Sequence, residues 1–511
     1  MIKKSTLFFT VFSILFVLLC FYSFFIDLYP QKSNTDLWTH LAIINELKVN
    51  DYSEVNAPFF TDGENDPRSG IYLTGIALVS KIFNISTINT YLFFGIINII
   101  FFLICSFLFS KHFLKSKYNY LFPLLLIFLW GPSRNIYAGM FSLNEILWIG
   151  PFYHFFTFSL LLLSLIYADK LIEQKRSVSS YLLVIIPVFV LYNTHMLTGI
   201  IFFVALYALI TAKIINYKKI TRELIFLFSI PFLCFLLNFL WPLYDQWNYF
   251  FNRGAVNAIQ DVNNSETYRG LDYYWKYINS WILVGGLSLL GIIFSPKNKK
   301  YFTFIILLFI ITLIIIFSGL TPWPIQFYWR FFPLIVLAGV MGWMSLFQII
   351  NKRLIFILIA LIIIIGLLFT MNKMVVFKDW EPYTYQQSQY QSESISYDIL
   401  NNISKKSVVF TDEVESHILS GLTGLNVVGV RPSHAGFNQT DIQNQGYDNI
   451  KAAYEEPEKI DELIPKYQIT HILLKRKISE KNFLLSQYVN NKYRLIDISD
   501  DFYLYYVGND L

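Results

Sequence analysis

Charge is scarce in this chain. Of its 511 residues only 15% are Asp, Glu, Lys or Arg, where a soluble domain carries about 25%. With 55% hydrophobic residues and a mean hydropathy of +0.48, that shortage excludes an ordinary soluble globule. Cysteine is scarcer still. Cys20, Cys105 and Cys234 each lie inside an apolar run with no CxxC or ligand-like spacing, which argues against a disulfide framework and a zinc site and for three packed apolar side chains. Also missing are HExxH, a glycine-rich phosphate loop, the GxSxG elbow and an EF-hand loop, so the common metalloprotease, nucleotide, esterase and calcium chemistries find no motif here. There is no internal repeat and no low-complexity linker.

What is present is long apolar runs. Eleven are legible, at 7–26, 89–110, 119–131, 146–168, 179–192, 196–212, 223–244, 279–295, 301–318, 327–349 and 354–371. They predict a polytopic α-helical membrane protein with about eleven spans. The net charge of +5 conceals a split: residues 1–371 hold 26 basic against 16 acidic residues, and residues 373–511 hold 14 against 19. The first run follows Lys3 and Lys4 and lacks a cleavage site, so it reads as an uncleaved span with a cytoplasmic N-terminus. On that orientation the basic islands at 111–117, 170–176, 213–222, 297–300 and 352–353 all fall inside, as the positive-inside rule requires. The basic excess is therefore topology, and nucleic acid is not an expected partner. Residues 70–83, "GIYLTGIALVSKIF", are too few to span and are read as an interfacial or re-entrant helix.

Two regions follow: a transmembrane part, 1–371, and an extracytoplasmic part, 372–511. In the latter, "SVVFT", "NVVGV", "THILLK" and "YRLIDIS" read as strands, alternating with helical patterns such as "DEVESHILSGLTG", which ends at Gly424. That alternation predicts a small C-terminal α/β domain. The short inner loops contrast with a long acidic first outer loop, 27–88, and aromatic later ones. Such elaboration places the site of action on the outer face.

The chemistry-bearing residues collect there. In "NTDLWTHLAIINELK", Asp36, Thr39 and His40 share one face of a helix, with Leu37, Leu41 and Ile44 on another. The simple picture is an amphipathic helix at the outer membrane surface. Asp36 reads either as an N-cap or as a general base for an acceptor hydroxyl or amine. Glu145 in the second outer loop complements a helix dipole or joins the site. Arg134 and Arg330 are interfacial anchors or phosphate clamps, and Arg330 sits in a collar of Tyr328, Trp329, Phe331 and Phe332. His154 and His195 lie beside apolar helices, where ionisable groups are costly and often functional. Asp66, in "TDGENDPR", belongs to an acidic turn with the oxygen ligands a divalent cation takes.

This layout resembles the GT-C superfamily of membrane glycosyltransferases. The likeness rests on Asp36 directly after the first span, on "TDLWTHL" beside the Asp-x-aromatic-x-His run of oligosaccharyltransferase catalytic subunits, on Glu145, and on Arg330 at the outer end of a late helix. A WWDYG-like run is absent, which sets the chain apart from a true oligosaccharyltransferase. The resemblance implies a polyprenyl-phosphate-linked sugar donor within the membrane lipids of a prokaryotic plasma membrane. It implies a glycan, lipid or protein acceptor. Asp36 and Glu145 would be catalytic, with Arg330 and Arg134 on the departing phosphate. His40, His154, His195 and Asp66 would line the substrate, and His434, in "RPSHAGFNQ", would shape the acceptor side. If a divalent cation such as Mg or Mn takes part, Asp36 and Glu145 are its expected ligands. Two other classes stay open: a carrier or flippase of lipid-linked saccharides, and a non-catalytic cell-envelope assembly protein on the same fold.

Overall fold

A computed structural model describes residues 4–27, 35–49, 59–60, 70–130, 143, 146–147, 151–173, 177–238, 284–295, 301–319, 328–351, 353–355, 357–361, 364, 397–413, 415–430, 441–476 and 480–508. The chain forms two compact units, each discontinuous in sequence: residues 1–30, 92–240 and 263–388, and residues 31–91, 241–262 and 389–511.

The first unit is helical. Its described helices are α1 (Lys4–Tyr22), α4 (Thr87–Phe113), α5 (Phe122–Phe128), α6 (Tyr153–Glu173), α7 (Val178–Thr194), α8 (Met196–Tyr217), α9 (Arg222–Asn238), α10 (Val284–Ile293), α11 (Phe302–Ser318) and α12 (Phe332–Leu346). The first five residues of α4 belong to the other unit. Among the described residues α4, α6 and α8 are long and apolar enough to cross a membrane. In α1 and the π-helical turn that continues it, Ser23–Asp27, the buried residues Phe16, Cys20, Ser23 and Phe24 form one stripe, while Val11, Ile14, Leu15, Leu18 and Leu19 are exposed. Apolar side chains on the exposed face mark a helix whose solvent is lipid.

Two devices hold these helices. Small residues let α10 and α12 touch backbone to backbone: a Cβ on Gly342 would lie 2.6 Å from the Gly291 carbonyl oxygen, and one on Gly339 would lie 2.4 Å from the Ser288 side chain. Trp343 Nε1 then donates to Leu287 O at 2.9 Å. Lipid tails offer no hydrophobic drive for helix pairing, so such close packing supplies it. The second device is ionic. Asp169, fully buried on α6, meets His112 Nε2 of α4 at 2.8 Å and Lys213 Nζ of α8 at 2.5 Å, and accepts from Tyr301 OH at 2.7 Å. Lys213 also reaches Glu173. A lone carboxylate there would be prohibitively costly; three partners make it a staple.

The second unit is built on a five-stranded sheet of order β2-β1-β3-β5-β4, with β1 (Val408–Phe410), β2 (Asn426–Val427), β3 (Ile469–Lys475), β4 (Arg494–Ile498) and β5 (Phe502–Tyr506). β1 runs parallel to both β2 and β3; β5 is antiparallel to β3 and β4. Between them lie α13 (Glu415–Thr423), α14 (Asp441–Glu455), α15 (Ile460–Tyr467) and α16 (Glu480–Lys492). Side chains alternate between two cores, as a pleated strand demands. Val408 and Phe410 enter one, with Ile450, Leu463, Ile472 and Leu485. Val409 enters the other, with Leu419, Leu473, Phe502 and Leu504. That second core also takes Ala42, Phe59 and Phe60 from the long loop near the N-terminus, and Val427 N–H donates to Phe59 O at 2.9 Å. The loop's helices α2 (Thr35–Val49) and α3 (Ile71–Phe83) therefore belong to this unit.

Two expectations follow. Gly342→Val drives a branched side chain into the Gly291 backbone and should cost about 1–3 kcal/mol, read as a lowered thermal midpoint of the detergent-purified chain. Asp461 receives hydrogen bonds from Lys492, Tyr488 and Tyr493. Burial pushes its carboxyl up, but those donors outweigh it and hold it below the ordinary carboxylate range. Its stabilisation is thus full above the unfolded value of about 4 and lost as pH falls below it. Hydrogen-exchange protection of α16 should drop between pH 6 and pH 3 in wild type (roughly the range that brackets that value) and change much less in Asp461→Asn.

Candidate functional site

The expected site begins at α2. Thr35–Val49 is helical, with Asp36 in its first turn. It is not the half-exposed amphipathic helix that its pattern predicts. Leu37, Trp38, Thr39, His40, Leu41, Ala42, Ile43, Ile44 and Leu47 are all buried. Thr39 and His40 on its polar side are buried as well, because each has found a protein partner. His40 Nδ1 lies 2.7 Å from Tyr91 OH. Thr39 Oγ1 lies 2.9 Å from His417 Nε2, and the His417 ring stands edge-on to Phe59 at 5.2 Å. Asn45 Nδ2 donates to Gly421 O at 2.8 Å, and its Oδ1 accepts from Thr87. The backbone conformation is local in origin: an Asn-Thr-Asp cluster opens the helix and the apolar Ala-Ile-Ile run continues it.

At the start of α13 Glu415 is fully buried and pairs with Lys475 Nζ at 2.7 Å, while Asp412 lies 3.3 Å from the same ammonium. Burial raises the Glu415 carboxyl. Burial would lower Lys475, but the two carboxylates outweigh it and raise it instead. Asp412 Oδ1 also accepts from Glu415 N–H at 2.8 Å, capping the helix. α13 is thus fixed at its first turn by charge, and its later turns meet α2.

In the helical unit His154 and His195 come together. His195 is the single extended residue between α7 and α8; its N–H donates to Leu191 O and its carbonyl accepts from Gly199 N–H, each at 3.0 Å. Its Nδ1 lies 2.6 Å from Thr198 Oγ1, Thr198 lies 3.3 Å from Thr157 Oγ1, and Thr157 donates to His154 O at 3.1 Å. The Tyr153 ring sits 4.9 Å from His195 and 6.1 Å from His154. This is a buried polar chain across two helix ends. Arg330 stands in a 3-10 turn, Tyr328–Phe331, that leads into α12. It is half-buried, and its neighbours Tyr328, Phe331 and Phe332 are core residues.

The side chain of Asp36, and all of Asp66, Arg134, Glu145 and His434, lie outside the described residues. The two carboxylates expected to hold a cation are among them. Among the described residues no three His, Cys, Asp or Glu side chains stand together as a metal would need. Sequence reasoning passed over Thr39 and Tyr91 as partners, and over His417. The signal for His417 was faint: a histidine one helical turn before Gly421 in a pattern otherwise read as an ordinary crossover helix.

No family model matches the sequence, and no curated protein matches it. Solved structures do. ArnT from Cupriavidus metallidurans, bound to undecaprenyl phosphate, superposes at a TM-score of 0.54 with 12% identity, over 98% of this chain and 99% of that one. The arabinofuranosyltransferase AftD from Mycobacteria gives 0.54 at 9% identity, over 98% of this chain but 40% of AftD. The Archaeoglobus fulgidus oligosaccharyltransferase, in complex with Zn and sulfate, gives 0.48 at 12% identity, over 91% of this chain and 67% of that one. The superpositions on ArnT and AftD make the fold GT-C-like, and the chain is a polytopic helical membrane protein.

Tyr91→Phe deletes the hydroxyl that meets His40. A buried polar group that loses its partner costs about 1–3 kcal/mol, so the variant should melt earlier than wild type.

Proposed function

We propose that this chain is a membrane glycosyltransferase that moves a sugar from a polyprenyl-phosphate carrier to an extracytoplasmic acceptor, with inversion at the anomeric carbon. One observation carries the reading: a carboxylate residue, Asp36, stands in the first turn of a helix that is buried over most of its length and follows closely in sequence on the first apolar helix. A rigid element, rather than a loose loop, positions a reacting group well. The GT-C-like fold over nearly the whole chain is consistent with this, and ArnT was solved with undecaprenyl phosphate, a lipid of the class proposed.

In the proposed reaction an acceptor oxygen forms the new bond to the anomeric carbon while the bond from that carbon to the phosphate oxygen breaks. The electron pair of the broken bond stays on the phosphate. The acceptor's proton passes to the Asp36 carboxylate, which acts as general base. The leaving group is polyprenyl phosphate, whose developing negative charge the guanidinium of Arg330, with Arg134, would offset. Glu145 is the second carboxylate of the proposal, and a divalent cation would take it with Asp36. His40 enters in a different capacity from the one its sequence position suggested: it is buried against Tyr91, so we assign it to holding the Asp36 helix.

Transfer of radiolabelled sugar from a panel of polyprenyl-phosphate sugars, in proteoliposomes, tests the reading. Wild type should deplete the lipid of label, and Asp36→Asn should be slower by about 10²–10⁴-fold, the usual worth of a general base. Equal rates would move the site away from Asp36. Label that crosses the bilayer without changing carrier would make the protein a flippase.

A further inference from the structure

The helix that bears Asp36 is registered by a helix drawn from the far end of the chain. α13 connects β1 to β2, and three contacts tie it to α2. At one level Gly421 lies against the α2 backbone: a Cβ there would stand 2.9 Å from Trp38 O and 3.1 Å from Trp38 Cα. Two turns further along α2, Asn45 Nδ2 donates to Gly421 O at 2.8 Å, and Gly424, at φ +71°, closes α13 against the Asn45 side chain. The third contact is the most specific. His417 Nε2 meets Thr39 Oγ1 at 2.9 Å, with His417 3% and Thr39 2% exposed.

Spacing connects this bond to the proposed chemistry. Thr39 is three residues after Asp36, so on an α-helix the two project from one face, one turn apart. The close contact at Gly421 fixes the distance between the helices but lets α2 slide or turn about its axis. Two directional bonds to side chains on α2, from Asn45 to Gly421 O and between Thr39 and His417, remove that freedom, and the second is the one within a turn of Asp36. Both residues are buried, so the bond is made where solvent does not readily replace it.

We infer that His417 is a positioning residue for Asp36, acting through Thr39 to set the rotation of α2. The inference rests on the transferase reading above. His417 touches no reacting atom in this scheme; it determines where the base stands. Misplacing a reacting group by about 1 Å can cost about 10²-fold in rate.

The test is steady-state transfer by the full chain in proteoliposomes, with a polyprenyl-phosphate sugar that wild type accepts. His417→Leu should lower kcat by about 10–100-fold while KM for the lipid donor stays within about twofold, since the donor's binding groups are untouched. His417→Gln, whose amide reaches the same hydroxyl, should recover kcat to within about threefold of wild type. Thr39→Val should match His417→Leu, and the double variant should be no slower than either, because one bond is lost in all three. Should His417→Leu fail to fold, Thr39→Val carries the same expectation. The inference is overturned if His417→Leu and Thr39→Val keep wild-type kcat, or if His417→Gln is as slow as His417→Leu although both melt with wild type. Asp36→Asn run alongside separates the two levels. If it is as fast as wild type, the assignment of the base has failed, whatever His417 does.

Discussion

A close approach of two backbones organises the α/β unit. Gly421 leaves no side chain between α13 and the Trp38 peptide, so a helix read from residues 35–49 packs directly on a helix more than 370 residues away in sequence. With α2 seated there, Phe59 and Phe60 reach the core beneath the sheet and Phe59 O accepts the N–H of Val427. The sheet thus has one face covered partly by its own crossover and partly by the loop that follows the first helix. Neither half buries its apolar surface alone. Cooperative stability of this unit should therefore depend on both.

The helical unit solves a different problem. Lipid already satisfies apolar side chains, so burying Leu and Ile gains little there. The structure uses backbone contact at Gly339 and Gly342, and charge at Asp169. Both devices act over short distances and tolerate little change. The exposed side chains of α1, by contrast, should accept almost any apolar replacement.

Apolar runs made the helices easy to read, because a run of one kind of side chain carries its own period and length. The runs at 179–192 and 196–212 became α7 and α8, with only His195 between them. The strands β1, β2 and β4 fell within "SVVFT", "NVVGV" and "YRLIDIS", and β3 began one residue before "THILLK"; β5, "FYLYY", escaped notice because its aromatic run has no polar alternation. Contacts between distant residues were not legible. Thr39 looked like one face of a surface helix, since nothing near it in sequence announces His417. Lys213 read as a marker of topology and is instead 3% exposed beside Asp169. Charge patterns give sidedness, but the partner of a given charge is a property of the packed fold.

The split composition of the α/β unit has a consequence for how the protein is made. Residues 31–91 leave the ribosome roughly 300 residues before residues 389–511, a delay of about 15–60 s at ordinary elongation rates. Through that interval α2, buried on most sides in the finished fold, has no sheet to join. Whatever shields it in the meantime, membrane surface or chaperone, is part of this protein's folding pathway, and a chain that stalls in its last hundred residues would display that helix bare.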